Sequence, residues 1–289
     1  LTWPVAIVGW VTSIVQEAEA SQERINEFLK IEPEIVNTQN TKQQINGKIE
    51  FKNVSFTYDD TNINALRNVS FIVDDGKTLA ILGKTGSGKS TIAQLIARLY
   101  DIKEGEIYID DILIKNHHLN HLREEIGFVP QDSFLFSDTI TNNIKFGVEN
   151  ATKDEIENAA KLANVHLNII EFKNGYDTVL GERGVTLSGG QKQRVSMARA
   201  LIKNPKILIL DDCLSAVDTE TEEQILQNLK TYSKGKTTII ISHRISSVKN
   251  ADKIIVLDKG KIIQEGTHDE LLTIHGFYKD LYDEQLHGN

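Results

Sequence analysis

The chain has 289 residues, of which 40% are hydrophobic and 25% charged, with a net charge of -9. This length allows one large domain or two modest ones with a full hydrophobic core, and the acidic balance excludes a global electrostatic pull toward nucleic acid or anionic lipid. A single cysteine, Cys213, excludes an internal disulfide and fits a reducing compartment.

From the first residue, Leu1 to Val15 carries no charge. The stretch is shorter than the about 20 apolar residues of a full membrane span, and it lacks the basic start of a signal peptide. The end of a transmembrane helix, a buried core helix and an interfacial segment all remain open, and Trp3 and Trp10 suit a membrane interface. Because the sequence begins with Leu rather than Met, a piece of a longer chain is expected. From Gln16 the pattern becomes amphipathic, with Ala18, Ser21, Ile25, Phe28 and Leu29 on one helical face. Pro33 should end that helix. The polar stretch Glu34 to Asn46 reads as a linker.

Lys48 begins an αβ region. Ile49 to Tyr58 and Val69 to Val73 alternate like paired strands, and Lys77 to Leu82 reads as a short buried strand bounded by glycines. Lys206 to Leu210 and Thr237 to Ser242 are two more buried strands. Helices are expected over Thr91 to Tyr100, Ala151 to Val165, Gln191 to Lys203 and Thr219 to Lys230. Strands alternating with helices imply a mostly parallel sheet covered on both faces.

The sharpest local pattern is Gly83-Lys84-Thr85-Gly86-Ser87-Gly88-Lys89-Ser90, followed by Thr91. It fits the G-x-x-x-x-G-K-[ST] phosphate-binding loop, with a strand before it and a helix after it. Glycines let backbone N–H groups fold around phosphate oxygens, and the helix turns its positive end toward them. Lys89 is placed to reach the β and γ phosphates of ATP, and Ser90 to ligate Mg²⁺. Ile207 to Leu210 is an aliphatic strand that delivers Asp211 at its C-terminal end, where open α/β sheets bind ligands. Asp211 is the expected Mg²⁺ partner. The close histidines His117, His118 and His121 lack a suggestively spaced set of further ligands and are set aside as a metal site.

Between these elements lies Leu187-Ser188-Gly189-Gly190-Gln191. An LSGGQ segment between the phosphate loop and the acidic strand resembles the signature of ATP-binding cassette (ABC) ATPases, and the resemblance runs from about Lys48 to Tyr282. It implies an α/β fold of the P-loop NTPase type: an ABC-type ATPase core with an antiparallel β subdomain and a helical signature subdomain at about 132–205. It implies that two cassettes meet head to tail, with Ser188 and the Gly189 and Gly190 amides facing the γ-phosphate of the partner's ATP. Tyr58 then falls where an aromatic ring stacks on adenine. Gln131 matches the Q-loop glutamine that senses γ-phosphate, Mg²⁺ and the membrane domain. Ser215-Ala216-Val217-Asp218 matches the D-loop, and His243 the switch histidine.

Gly181-Glu182-Arg183-Gly184 resembles the X-loop of exporters, and the segments His243 to Val248 and Glu265 to Leu272 are exporter-like. On that resemblance, residues 1–30 are expected to be the end of the last transmembrane helix with its cytosolic extension, 31–47 a linker and 48–289 the cassette. The implied ligands are ATP and Mg²⁺. The implied partners are a membrane domain and a second ABC subunit, at the cytoplasmic face of the inner cell membrane, and the acidic balance argues against nucleic acid. One position departs from the pattern. The residue after Asp211 is usually Glu, the group that polarises the attacking water, and here it is Asp212. Aspartate is shorter by about 1.5 Å of bond length, and a misplacement of about 1 Å can cost about 10²-fold in rate. By analogy with heterodimeric exporters the chain is expected to be the degenerate half of a heterodimer. A homodimer in which Asp212 serves, and a nucleotide-gated structural subunit with little hydrolysis, are the alternatives.

Overall fold

The computed structural model describes residues 2–37, 39, 41–181 and 187–287, and the chain divides into two units, up to Val36 and from Asn37 onward. The first unit is built on one helix, α1 (Thr2–Leu29), which carries both the uncharged stretch and the amphipathic stretch. Its large apolar side chains are exposed, Trp3 and Phe28 by 76% and 73%. The Lys30 N–H closes the last turn on Asn26 O, so the helix stops before the residue that Pro33 forces out of helical geometry. Charge enters at Glu17, and among the described residues no helix is long and apolar enough to cross a membrane.

The second unit begins within the stretch that reads as a linker. Asn37 Oδ1 accepts from the Leu119 N–H at 3.0 Å, and Gln43 O lies 2.9 Å from His121 Nε2. The Asp110 carboxylate accepts the N–H groups of Asn46, Gly47 and Lys48 at 2.7, 3.1 and 2.9 Å. The polar composition thus reflects docking to the unit as well as exposure to water.

The elements that follow are β1 (Ile49–Thr57), β2 (Asn64–Val73), β3 (Thr78–Gly83), α2 (Lys89–Ile96), β4 (Glu104–Ile109), β5 (Ile112–Leu113), α3 (Leu119–Glu124), β6 (Ile126–Val129), α4 (Ile140–Lys145), α5 (Lys153–Leu162), α6 (His166–Ile170) and α7 (Gly189–Leu201). After them come β7 (Ile207–Asp211), α8 (Thr219–Tyr232), β8 (Thr237–Ile241), α9 (Ile245–Val248), β9 (Lys253–Asp258), β10 (Lys261–Gly266), α10 (His268–Thr273) and α11 (Phe277–His287). A four-stranded sheet, ordered β2-β1-β4-β5, is antiparallel. Its alternation buries Ile49, Phe51, Val54 and Phe56 on one face, and Phe51 stacks on Phe71 with centroids 4.5 Å apart.

The second sheet is ordered β10-β9-β3-β8-β7-β6, and every pairing but β9 with β10 is parallel. Its central strands are covered on both sides, which is why β7 is aliphatic from Ile207 to Leu210 and buried at every position. The period of two is visible in β3, where Leu79 and Ile81 join the core beneath the antiparallel sheet and Ala80 and Leu82 join a core with α9, α10 and α11. A further core gathers α4 to α8 against Leu208 and Leu210 of β7. Register then positions the site. Asp211 pairs with Ile241 and Ile81 with Ile241, so the chain leaves β3, β7 and β8 at one edge of the sheet, as it does β6.

Leu208 is fully buried at the centre of this arrangement. Leu208→Ala should lower unfolding free energy by about 2–5 kcal/mol, read as a fall in the urea midpoint at an unchanged slope.

Candidate nucleotide site

The turn from β3 into α2 depends on glycine. Gly83 and Gly88 have φ of +150° and +103°, and a Cβ would meet the Leu257 carbonyl at Gly83 and the Ala65 carbonyl at Gly88. Gly88 is the N-cap of α2 and offers no side chain to its first-turn amides. Those amides are left for an anion. The Lys89 ammonium folds back over the loop and donates to Gly83 O at 2.8 Å and Lys84 O at 3.0 Å. Burial pushes its pKa down, with Asp212 and Asp211 pulling the other way.

Ser90 Oγ donates to Asp211 Oδ1 at 3.1 Å and ties α2 to the end of β7. Asp211 is 3% exposed, and burial raises its pKa against the Ser90 bond and the Lys89 charge. A hydroxyl and a carboxylate side by side are the hard oxygen donors that Mg²⁺ takes, and a buried carboxylate is stabilised by a bound cation. These residues therefore fit the metal.

Asp212 follows in the left-handed region, at φ +44°, which aspartate tolerates better than most side chains. Its N–H donates to Ile241 O at 2.9 Å, and Gln131 Nε2 lies 3.4 Å from its Oδ2. Burial raises its pKa; His243, Lys89 and Arg244 oppose that. Burial also lowers the pKa of His243, with Lys89 adding to the effect and Asp212 opposing it, which favours the neutral imidazole. Gln285 of α11 braces this loop, donating to His243 O at 2.8 Å and accepting from the Ile245 N–H at 2.8 Å.

Tyr58, Thr85, Gly86, Gly88, Lys89, Ser90, Thr91, Gln131, Asp211, Asp212 and His243 line one cleft of about 200 Å³. The Tyr58 hydroxyl meets Thr91 Oγ1 at 3.0 Å and donates to Gln94 Oε1 at 2.8 Å, while Phe56 and Tyr100 stand nearly perpendicular to its ring. The signature residues do not line this cleft. Leu187 is buried, and Ser188 caps α7, its Oγ accepting from Gln191 N–H and its N–H donating to Gln191 Oε1. The Ser188 hydroxyl keeps its own proton to donate. Gly190 has no room for a side chain: a Cβ would lie 2.9 Å from Ala216 O, which packs the signature turn on the D-loop of the same chain. In that loop Ser215 Oγ donates to Asp212 O at 2.9 Å, and Asp218 caps α8 through the Thr221 N–H. Of the X-loop match, Glu182 to Gly184 lie outside the described residues.

Gln94, Gln285 and the cleft residues Ile63 and Ala65 carry no sequence signal that marks them. Their places come from strand pairing and helix packing across the chain. His117 Nε2 lies 2.9 Å from Ile109 O, and His118 Nδ1 accepts from the His121 N–H, so these side chains serve local structure. Cys213 is 2% exposed, and burial pushes its thiol pKa up.

The fold and the cleft together define a P-loop nucleotide-binding domain. Residues 66–215 match the ABC transporter family, and the chain belongs to that family as an ATP-binding domain. It is 48% identical over 287 residues to the ABC transporter ATP-binding protein YknU of Bacillus subtilis (strain 168), covering 99% of this chain and 49% of that protein. It is 46% identical over 285 residues to the multidrug resistance-like ATP-binding protein MdlA of Escherichia coli (strain K12), covering 99% and 48%. The chain thus spans about half the length of these relatives. The structure of a bacterial Atm1-family ABC exporter with ATP bound superposes with a TM-score of 0.90 at 39% identity, covering 98% of this chain and 50% of that one.

Asp211 is a buried carboxylate whose raised pKa marks a charge that opposes folding at neutral pH. Without Mg²⁺ and nucleotide, Asp211→Asn should raise Tm by roughly 2–4 °C at pH 7. The gain should shrink as pH falls through the raised pKa, where the parent carboxyl is protonated too. Melts across pH test this, and the variant should lose the Mg²⁺ dependence of nucleotide binding.

Proposed function

We propose that the chain is the ATP-hydrolysing motor of an exporter, acting with a membrane domain and a second cassette at the cytoplasmic face of the inner membrane. The carrying observation is the single cleft shared by Lys89, Ser90, Asp211, Asp212 and His243. Lys89 and the loop amides of Gly83 to Thr91 hold the phosphates. Ser90, Gln131 and Asp211 would hold Mg²⁺, which would supply positive charge against the phosphates. Tyr58 stacks on adenine, Asp212 accepts the proton of the attacking water, and neutral His243 donates to the γ-phosphate. Leu187 to Gln191 serve the partner's ATP, and Ser215 and Asp218 cross to it. The names of an exporter neighbour and a multidrug resistance-like relative support export.

In the same reading residues 1–30 belong to the last transmembrane helix and its extension, 31–47 connect it, and 48–289 form the cassette, with about 132–205 as its helical subdomain. The uncharged, exposed first half of α1 with Trp3 and Trp10 supports this.

Asp212 supports a further step: the chain is the degenerate half of a heterodimer, with an intact signature that completes its partner's site. Its backbone is pinned by the bond to Ile241 and its side chain is short. A homodimer with Asp212 as a working base, or a subunit that binds ATP and seldom hydrolyses it, would leave the same cleft. Steady-state ATPase of the chain beside Asp212→Glu, over a range of protein concentrations, separates these. The glutamate variant should turn over at least about tenfold faster. Equal, brisk turnover would instead identify Asp212 as an adequate base and favour the homodimer.

A further inference from the structure

We propose that Glu222 is a positioning residue that, through Arg244, joins the D-loop and the loop of His243 into one unit. Glu222 sits in the first turn of α8, just past the D-loop, and is 2% exposed. A charge so buried needs partners for each oxygen, and all of its partners come from the segment after His243. The Arg244 guanidinium pairs with Oε2, while Ser246 and Ser247 donate to Oε1 at 2.9 and 2.6 Å. The turn at the start of α8 also favours a negative charge.

Arg244 carries the connection onward. The same guanidinium donates to Ser215 O at 3.2 Å and Val217 O at 3.4 Å, two carbonyls of the D-loop. Its backbone N–H donates to Ser242 Oγ at 3.0 Å, which fixes the turn that carries His243. Ser215 Oγ returns to Asp212 O at 2.9 Å. A chain of contacts thus runs from Asp212 through Ser215 and Arg244 to the turn that carries His243, and Glu222 is the charge that holds Arg244 at its centre. A displacement of the D-loop from outside then moves Asp212 and His243 together, without passing through the nucleotide. Neither Glu222 nor Arg244 lines the cleft, so the pair acts on turnover by setting geometry and leaves nucleotide affinity alone.

This rests on the ATPase reading. The test compares the parent with Glu222→Gln, Arg244→Ala, Arg244→Lys and the double variant Glu222→Gln/Arg244→Ala, each also in the Asp212→Glu background. The readouts are kcat, KM and the Kd of a fluorescent ATP analogue. Glutamine keeps one acceptor for the serine hydroxyls and removes the charge and the second acceptor that Arg244 uses. Glu222→Gln and Arg244→Ala should each lower kcat by about tenfold, with Kd within about twofold of the parent. The double variant should be no slower than the slower single, because both remove one interaction, and Arg244→Lys should recover part of the rate. Parental kcat in Glu222→Gln, loss of nucleotide binding in that variant, or losses that multiply in the double variant would each overturn the clamp. A parent that shows no turnover in either background would instead sink the ATPase reading.

Discussion

Burial of charge around Lys89 is the constraint on which the rest of the site depends. The ammonium is held by two carbonyls of its own loop, and the two successive carboxylates at the end of β7 lie close enough to act on it. Burial disfavours the charged form of all three: Lys89 is pushed down, Asp211 and Asp212 up. A ligand that brings negative charge to Lys89 and a cation to Asp211 relieves both strains at once. On the function proposed above, the cleft is thereby matched to a polyphosphate with its metal rather than to either alone.

Parallel pairing explains why these groups meet. Strands β6, β7, β8, β3 and β9 of the central sheet run the same way and end at the same edge, so loops distant in sequence are gathered there. The pairing of Asp211 and of Ile81 with Ile241 sets the phosphate loop, the acidic strand end and His243 side by side. The helices that fill both faces keep that register, since a slip of one residue would move Leu208 and Leu210 out of their core.

The sequence reveals the parts of this arrangement whose chemistry is local. A phosphate loop needs its glycines, lysine and serine within a few residues, and a buried strand ending in an acid is legible as an aliphatic run. Tyr58, Gln131 and His243 are recognisable only through the family pattern, because each is one polar residue beside a strand. Gln285 and Glu222 escape altogether: their partners lie far away along the chain and their own neighbours look like ordinary solvated helix. The stretch from Asn37 makes contacts that its polar composition does not reveal, since Asn37 and Gln43 bond to residues far along the chain.

Cys213 completes the set of buried groups at the end of β7. It follows Asp212 along the chain and is covered from solvent, and burial disfavours the thiolate form that reacts. Alkylating dyes and spin labels will therefore pass it by. Cysteines introduced on the D-loop or the signature turn can be labelled one at a time in the natural background, without first removing a native residue from beside Asp212.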